Sequence, residues 1–387
     1  MPQNLDEETR KIVIHVTTFT TAVVGAFGLF ALRIVMPRLR RSLAKNGINV
    51  ASAFKDRHHP SLLQLIRWCL ATLSWMAAGT FILTALILSL LGSPSQTGDE
   101  PDEQHNSYTS SINFCEPDFK DTDLIAEPVN TISSLICYIP LSVLGLLNPP
   151  HSYESIFSYL TLFAIGLGST ALHALLTAYA QGGDELPMLW FCAAAVNIVC
   201  HILFSGYRGL GQTPPKTLTL AVTVSAAVAT AIYVFSRDNF VFFYVMFSLY
   251  AQVIIIGFLV ICFLLPWNKH ESCGPKRLRQ VDSFRVNILM PLALCTGGTI
   301  IVAMWTWVSE MLFCTSATQE FKFGILFAPF FWHRCVHALW HMTSGLLAWL
   351  VLQVLLATRG MQQERGAPEL VWRGAPYVRF TDEDKKE

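Results

Sequence analysis

Residues 165–185 read IGLGSTALHALLTAYAQGGDE, an apolar stretch that nevertheless contains a serine, a histidine and an aspartate. Apolar sequence continues on both sides of it, and in the whole 387-residue chain 52% of the residues are hydrophobic and only 14% are charged. Such a composition excludes an ordinary soluble enzyme of this length and indicates an integral membrane protein. The quoted stretch therefore predicts polar groups at membrane depth, where ionisable side chains are costly and usually functional.

Segments of about 20 apolar residues, the length that a membrane-spanning helix needs, recur along the chain. They are residues 12–36, 63–92, 129–147, 155–180, 186–206, 217–235, 239–265, 286–313 and 326–357. Long segments without strand-like alternation predict helices, because each backbone amide in lipid must find its partner within its own segment. We therefore predict an all-α polytopic membrane protein, a seven-helix bundle preceded by two extra transmembrane helices.

A strongly acidic loop divides the chain into unequal parts. We expect a two-helix extension at residues 1–92, the acidic loop at 93–128, the seven-helix block at 129–357 and a polar tail at 358–387 that lies on the surface or is disordered. Nothing in the extension carries chemistry. It is open whether it serves as an added anchor, binds a partner or results from a gene-model fusion.

Lys and Arg in the short loops predict the orientation in the membrane. Loops 37–58 and 266–285 and the C-terminal tail are rich in these residues, and with nine spans all three lie on one side, which should be the cytosol. The acidic loop and the turns at 181–185 and 314–321 then face the lumen or the exterior.

The polar residues of the quoted stretch fall into a pattern. Ser169 and His173 are four residues apart and therefore share a helix face. Asp184 should begin the next span, just after a Gly-Gly turn, where it can fold back towards them. Taken singly, Ser169 is typical of helix packing and Asp184 of a helix N-cap, so only the combination indicates a site.

The last span supplies further histidines. The sequence HRCVHALWH places His333, His337 and His341 on one helix face. Two histidines at positions i and i+4 commonly offer two imidazoles to one metal. With His173 as a third ligand and a fourth position left for water, the set predicts a catalytic zinc site, and His333 is more typical of a structural residue. The ten cysteines show no C-x-x-C spacing, which argues against cysteine-ligated zinc.

Three sequence blocks resemble one membrane-enzyme family. They are NFCEPDFKDTDLIAEPVNTISSLI at 113–136, GLGSTALHALLTAYAQGGDELPMLW at 166–190 and HALWHMTSGLLAW at 337–349. Together they resemble the alkaline ceramidases, which belong to a superfamily of seven-helix membrane hydrolases with the adiponectin-type receptors and the GPI-remodelling lipases. The resemblance covers about residues 113–350 and leaves the extension outside.

This resemblance implies a role for each matching residue. His173, His337 and His341 would bind Zn²⁺, which activates a water molecule. Asp184 would act as the general base, and Ser169 would donate a hydrogen bond to the oxyanion. The substrate would be a ceramide within the bilayer, cleaved at its amide to a long-chain base and a fatty acid, with no nucleic-acid partner.

The resemblance also implies a calcium site in the acidic loop, formed by side chains and one backbone carbonyl. The matching positions are Asn113, Phe114, Glu116, Asp118 and Glu127. Asn113 stands where the family has Asp, and Asp118 stands where it has Asn, so the number of carboxylates is kept. A solvated acidic loop without bound metal is the alternative.

Other expectations depend on the same resemblance. Similar enzymes have a disulfide, for which Cys115 and Cys314 are the candidates because both lie on the predicted lumenal side. The family and substrate imply the endoplasmic reticulum or the Golgi. Two other functions stay open: a related zinc hydrolase of ester lipids, such as a GPI-remodelling enzyme, and a receptor in which zinc is structural and turnover is negligible.

Overall fold

The computed structural model describes residues 60–91, 109–112, 114–148, 152–208, 214–236, 240–265, 275–313, 329–363 and 366–381. Its elements are α1 (Leu62–Leu91), α2 (Pro128–Leu147), α3 (Tyr153–Leu175), α4 (Ala178–Arg208), α5 (Lys216–Phe235), α6 (Phe240–Leu259), α7 (Pro275–Phe284), α8 (Met290–Phe313), α9 (Pro329–Gln362), β1 (Ala367–Trp372) and β2 (Pro376–Thr381). A π-helical turn extends α6 over Val260–Leu264, and another, Arg285–Leu289, joins α7 to α8.

The all-α polytopic fold predicted from the sequence is confirmed. In the described part of the chain, 8 helical spans are long and apolar enough to cross a membrane. The first predicted span, residues 12–36, lies outside the described residues. Helix α9 is the centre of the bundle, since 72% of its apolar window is buried, against 17% for α1 and 11% for α5.

The break between α3 and α4 lies elsewhere than the sequence predicts. The expected spans 155–180 and 186–206 meet at a Gly-Gly turn, whereas α3 ends at Leu175 and α4 already begins at Ala178. Leu176 adopts a left-handed conformation with φ 48°, and the Thr177 hydroxyl accepts a hydrogen bond from the N–H of Ala180. The expectation that Asp184 starts a helix, as an N-cap, is therefore wrong: Asp184 lies inside α4.

The C-terminal tail also differs from the prediction. Helix α9 continues beyond residue 357 to Gln362, and β1 and β2 then form an antiparallel hairpin in which Leu370 pairs with Val378. The indole N–H of Trp349 donates to the carbonyl oxygen of Pro376 at 2.6 Å, and the N–H of Val378 donates to the side chain of Gln353 at 3.0 Å. Residues 367–381 are thus an ordered part of the bundle, because aromatic and β-branched side chains favour a strand pair and pack against α9.

Helix α1, the second predicted span of the extension, packs against α2, α8, α9 and β2. Its buried residues recur at helical spacing and form one stripe. They are Leu65, Cys69, Thr72, Met76, Thr80 and Thr84. The indole of Trp75 donates to the carbonyl oxygen of Gly374 at 2.8 Å, which joins α1 to the turn of the hairpin.

Candidate metal and catalytic site

Three histidines meet at one end of the bundle, which we call the histidine end. His173 comes from the last turn of α3, and His337 and His341 come from successive turns of α9. Their ring centroids lie 4.4 to 4.9 Å apart, and all three rings are buried. One nitrogen from each ring lies within 4.8 Å of the others, so the three can hold a single metal ion. The convergence predicted from the sequence is therefore present.

Each of these histidines has a partner for its Nδ1 atom. Glu127 Oε2 lies 2.5 Å from Nδ1 of His173, and Glu310 Oε2 lies 2.6 Å from Nδ1 of His337. The hydroxyl of Ser133 lies 2.7 Å from Nδ1 of His341. Because a carboxylate accepts a hydrogen bond from Nδ1–H, the Nε2 lone pair is left for a metal, as in the carboxylate–histidine–zinc arrangement of many zinc proteins. Buried, neutral imidazoles with such partners fit Zn²⁺.

The chain before α2 brings Glu127 to His173. The N–H group of Ala126 donates to the carbonyl oxygen of Ala174 at 3.1 Å, and that of Glu127 donates to the carbonyl oxygen of His173 at 3.0 Å. This loop segment therefore provides hydrogen bonds to carbonyl groups that have no partner within the last turn of α3. The carboxylate of Glu116 accepts the N–H groups of Val129 and Asn130, both at 2.8 Å, and so caps the start of α2. The loop is therefore fixed against both helices that border the site.

Ser169 and Asp184 lie beside the histidines. The Ser169 hydroxyl is 2.9 Å from the hydroxyl of Ser134 and 3.5 Å from Nε2 of His341, and the carboxylate of Asp184 lies close enough to interact with it. These contacts depend on a close approach of α3 to α4. A Cβ atom built on Gly168 would lie only 1.9 Å from the carbonyl oxygen of Gly183. The two glycines thus let the backbones touch and place serine and aspartate side by side.

A cavity of about 230 Å³ opens from the histidines into the bundle. Ser169, Asp184, His337 and His341 form its polar end. The remainder is lined mainly by apolar and aromatic side chains of α3, α4, α6, α8 and α9. This lining suits a mostly apolar molecule whose polar group reaches the histidines.

The predicted calcium residues have other contacts as well. The ring of Phe114 packs against His173 and His337, with centroids 4.7 and 4.0 Å apart. Both carboxylate oxygens of Glu116 cap α2, and one oxygen of Glu127 binds His173. Asn113 lies outside the described residues, so the complete set stays a prediction.

Two further predictions concern residues that are only partly described. Cys115 takes part in a disulfide. Cys314 lies outside the described residues, and its pairing with Cys115 stays a prediction. His333 belongs to α9, but its side chain also lies outside the described part of the structure.

Sequence reasoning missed three residues that contact the site: Ser133, Ser134 and Glu310. Glu310 could have been found from the sequence, because it is an acidic residue inside the apolar segment WTWVSEMLF. Such a residue is costly in a membrane and needs a partner. Ser133 and Ser134 have no such signal, since small hydroxyl residues are common where transmembrane helices pack.

Comparison with known proteins places this site in a family. A family model described as Ceramidase matches residues 106–379, which include all three histidines, Ser169 and Asp184. The chain is 26% identical over 278 residues to the alkaline ceramidase of Arabidopsis thaliana, an alignment that covers 70% of this chain and 93% of that protein. It is 24% identical over 259 residues to alkaline ceramidase 3 of Mus musculus, with coverages of 65% and 84%.

A human relative shows the same extent of similarity. The chain is 24% identical over 295 residues to alkaline ceramidase 1 of Homo sapiens, covering 72% of this chain and 96% of that protein. The family match covers well over half of the chain and excludes α1. The chain belongs to the ceramidase family.

Proposed function

We propose that this protein is a zinc-dependent ceramidase that hydrolyses the amide bond of ceramides at the histidine end of its bundle. The family model and the curated relatives indicate a ceramide amidohydrolase. The observation that carries the zinc-dependent mechanism is the buried cluster of His173, His337 and His341, in which every Nδ1 atom has a hydrogen-bond partner.

The cavity supports a lipid amide as the substrate. A ceramide has one amide group near its polar head and two long hydrocarbon chains. The polar end of the cavity, with Ser169 and Asp184, would receive the amide, and the aromatic and aliphatic lining would receive a chain. A substrate that lies in the bilayer also explains why the polar groups lie within membrane-spanning helices.

The chain's own side chains have separate roles in the hydrolysis. A zinc ion on the three histidines would act as a Lewis acid and lower the pKa of a water molecule. Asp184 would take a proton from the attacking water, whose oxygen bonds to the amide carbon. Ser169, held by Ser134 at 2.9 Å, would donate a hydrogen bond to the developing oxyanion. Asp184 would then pass its proton to the leaving nitrogen as the carbon–nitrogen bond breaks, giving a fatty acid and a long-chain base.

We also propose that the acidic loop binds calcium next to the histidines. Oε1 of Glu127 is buried and has no hydrogen-bond partner among the described residues, and Asp118 lies close enough to act on it electrostatically. Burial, together with the charge of Asp118, raises the pKa of Glu127 well above its usual range. A hard cation between Glu127 and Asp118 would offset the repulsion between their negative charges.

Thermal melting with and without Ca²⁺ tests the calcium site. We expect Ca²⁺ to raise the melting temperature of the wild-type chain and to have a much smaller effect on Asp118→Ala, which lacks a side-chain oxygen at this position. Asp123→Ala changes an exposed carboxylate of the same loop and serves as the control. An equal calcium response in Asp118→Ala and wild type would contradict the proposed site.

Substrate class is tested on the purified full-length chain with labelled lipids. Release of a long-chain base from ceramide supports the proposed function. Release of fatty acid only from a GPI lipid or a phospholipid would favour the ester hydrolase, and release from none of them would favour a receptor. Ceramide, dihydroceramide and phytoceramide, compared at equal concentration, would define the sphingoid-base preference.

For its location, we propose the endoplasmic reticulum or the Golgi, with the acidic loop in the lumen and the C-terminus in the cytosol. The loop charges support this orientation. Protease treatment of sealed microsomes should cleave a C-terminal tag and leave a tag inserted at residues 93–108 intact. The reverse pattern would contradict the orientation.

A further inference from the structure

Glu310 is a buried carboxylate in α8 that lies directly behind one of the histidines. It is 2% exposed, and its Oε2 atom lies 2.6 Å from Nδ1 of His337. Its Oε1 atom accepts the backbone N–H of Cys115 at 3.3 Å. One carboxylate oxygen therefore binds the candidate zinc ligand, and the other binds the acidic loop.

We propose that Glu310 is a positioning residue that fixes the ring orientation and tautomer of His337 and thereby sets the zinc affinity of the site. This inference rests on the proposed zinc-dependent function. With its Nδ1 proton held by a carboxylate, His337 presents an Nε2 lone pair of increased basicity to the metal. Glu310 is absent from the side chains that line the cavity in the described structure, so its effect on the reaction passes through His337.

The surroundings of Glu310 hold it in one place. Cys115 takes part in a disulfide, and its neighbour Phe114 packs its ring 4.0 Å from the ring of His337. The N–H of Cys115 thus comes from a fixed segment, which orients the carboxylate towards His337. Because the carboxylate in turn orients His337, less conformational entropy is lost when this histidine binds a metal ion.

A histidine–glutamate contact away from the histidine cluster offers a comparison. His201 and Glu154 lie 3.6 Å apart in α4 and α3, with the Glu154 side chain 33% exposed. These residues do not belong to the histidine cluster. If Glu310 were only a structural partner of a buried histidine, its loss should resemble the loss of Glu154.

The test is a chelator titration of the zinc-loaded, purified full-length protein, with retained zinc measured directly. We expect Glu310→Ala to release zinc at about 10- to 100-fold lower chelator concentration than wild type. Glu310→Gln should lie between them, because its amide oxygen accepts a hydrogen bond from Nδ1–H but carries no charge. Glu154→Gln should match wild type. With zinc in excess, the activity of Glu310→Ala should recover, and its KM for ceramide should change little.

Melting temperatures with and without zinc separate positioning from a general loss of stability. If Glu310 had a purely structural role, its substitution would lower the melting temperatures with and without zinc equally. If it positions His337, its substitution should reduce the increase in melting temperature that zinc produces. Zinc retention by Glu310→Ala and Glu310→Gln equal to that of wild type would overturn this inference and leave the proposed function intact. A wild-type chain without zinc would contradict the proposed function itself.

Discussion

At the scale of single residues, Ser169 has the contacts of an oxyanion donor. Its hydroxyl lies 2.9 Å from that of Ser134 and 3.5 Å from Nε2 of His341, and it lines the polar end of the cavity beside Asp184. Substitution to Ala should remove one hydrogen bond to the transition state and leave the histidines in place. We expect Ser169→Ala to lower kcat by about 100- to 1,000-fold with normal zinc content, measured with labelled ceramide and by metal analysis.

A matched serine on the same helix provides the control for that substitution. Ser158 is fully buried in α3, and its hydroxyl donates to the carbonyl oxygen of Glu154 within the helix at 2.7 Å. Ser158→Ala should keep nearly full activity. Loss of zinc from Ser169→Ala would show that this serine supports the metal cluster rather than the oxyanion.

Substitution of Asp184 should have a different effect, because we propose that this residue carries out the proton transfers of the hydrolysis. Asp184→Asn keeps the size of the side chain but cannot take up a proton at neutral pH. We expect kcat to fall by about 100- to 10,000-fold, with zinc content and KM close to wild type. A variant that loses zinc would instead identify Asp184 as a metal ligand.

Spacing within the sequence predicts the candidate zinc and catalytic residues but not the residues that hold them. His173, His337, His341 and Ser169 stand out because polar groups at helical spacing are rare in apolar segments. The partners of their rings lie far away in the sequence: Ser133 is 208 residues from His341, and Glu127 is 46 residues from His173. Only the packing of the helices decides which serine or glutamate meets which ring.

At the scale of helices, the contact of α3 with α4 determines the site. A Cβ atom on Gly168 would overlap the carbonyl oxygen of Gly183, and backbone cannot move aside as a side chain can. We expect Gly168→Ala to separate the two helices, lower the melting temperature and reduce activity by about 100-fold through misplacement of Ser169 and Asp184. Thermal melting and ceramide hydrolysis measure both effects.

Gly297 in α8 is the matched control, since nothing lies within 4 Å of a Cβ atom built on it. Gly297→Ala should leave activity unchanged and leave stability equal or slightly higher, because alanine favours a helix by about 1 kcal/mol over glycine. If Gly168→Ala behaved like Gly297→Ala, the close approach of α3 and α4 would not govern the site.

The contacts between α1 and the hairpin can also be tested by substitution. Trp75 donates to the carbonyl oxygen of Gly374 at 2.8 Å, and the ring of Trp68 lies 6.1 Å from that of Trp372. Trp75→Phe keeps an aromatic ring but removes the donor, which should cost about 1 kcal/mol. Hydrogen exchange should then become faster in residues 367–381.

Ser74→Ala is the control for this link, because Ser74 is exposed and donates only within α1, to Leu70 at 2.8 Å. Exchange in the hairpin should be the same in Ser74→Ala and wild type. Unchanged exchange in Trp75→Phe would show that α1 does not hold the hairpin.

Helix boundaries show why part of the architecture escapes sequence reasoning. Hydropathy predicts α1, α2, α5 and the span formed by α6 and its π-helical turn to within one or two residues, because lipid sets their length and composition. The break after Leu175 has no hydropathy signal. It depends on the left-handed Leu176 and on N–H groups of Ala126 and Glu127, which come from a distant segment.

At the scale of the whole molecule, the catalytic bundle is larger than the family match. Residues 106–379 match the ceramidase family, and α1, which precedes them, packs against α2, α8, α9 and the hairpin. The sequence of α1 gives no sign of this, because its buried residues are mostly small or apolar and typical of any transmembrane helix. The histidine end and the hairpin lie at opposite ends of α9, so the effect of α1 on the site should pass through helix packing.

Zinc dependence of ceramide hydrolysis tests the central claim most directly. Purified full-length protein should contain one zinc ion, release long-chain base from ceramide, lose this activity with a chelator and regain it with Zn²⁺. His337→Ala should lose both zinc and activity, because two histidines hold the ion too weakly. Full hydrolysis by zinc-free protein, or full activity and zinc content in His337→Ala, would contradict the account.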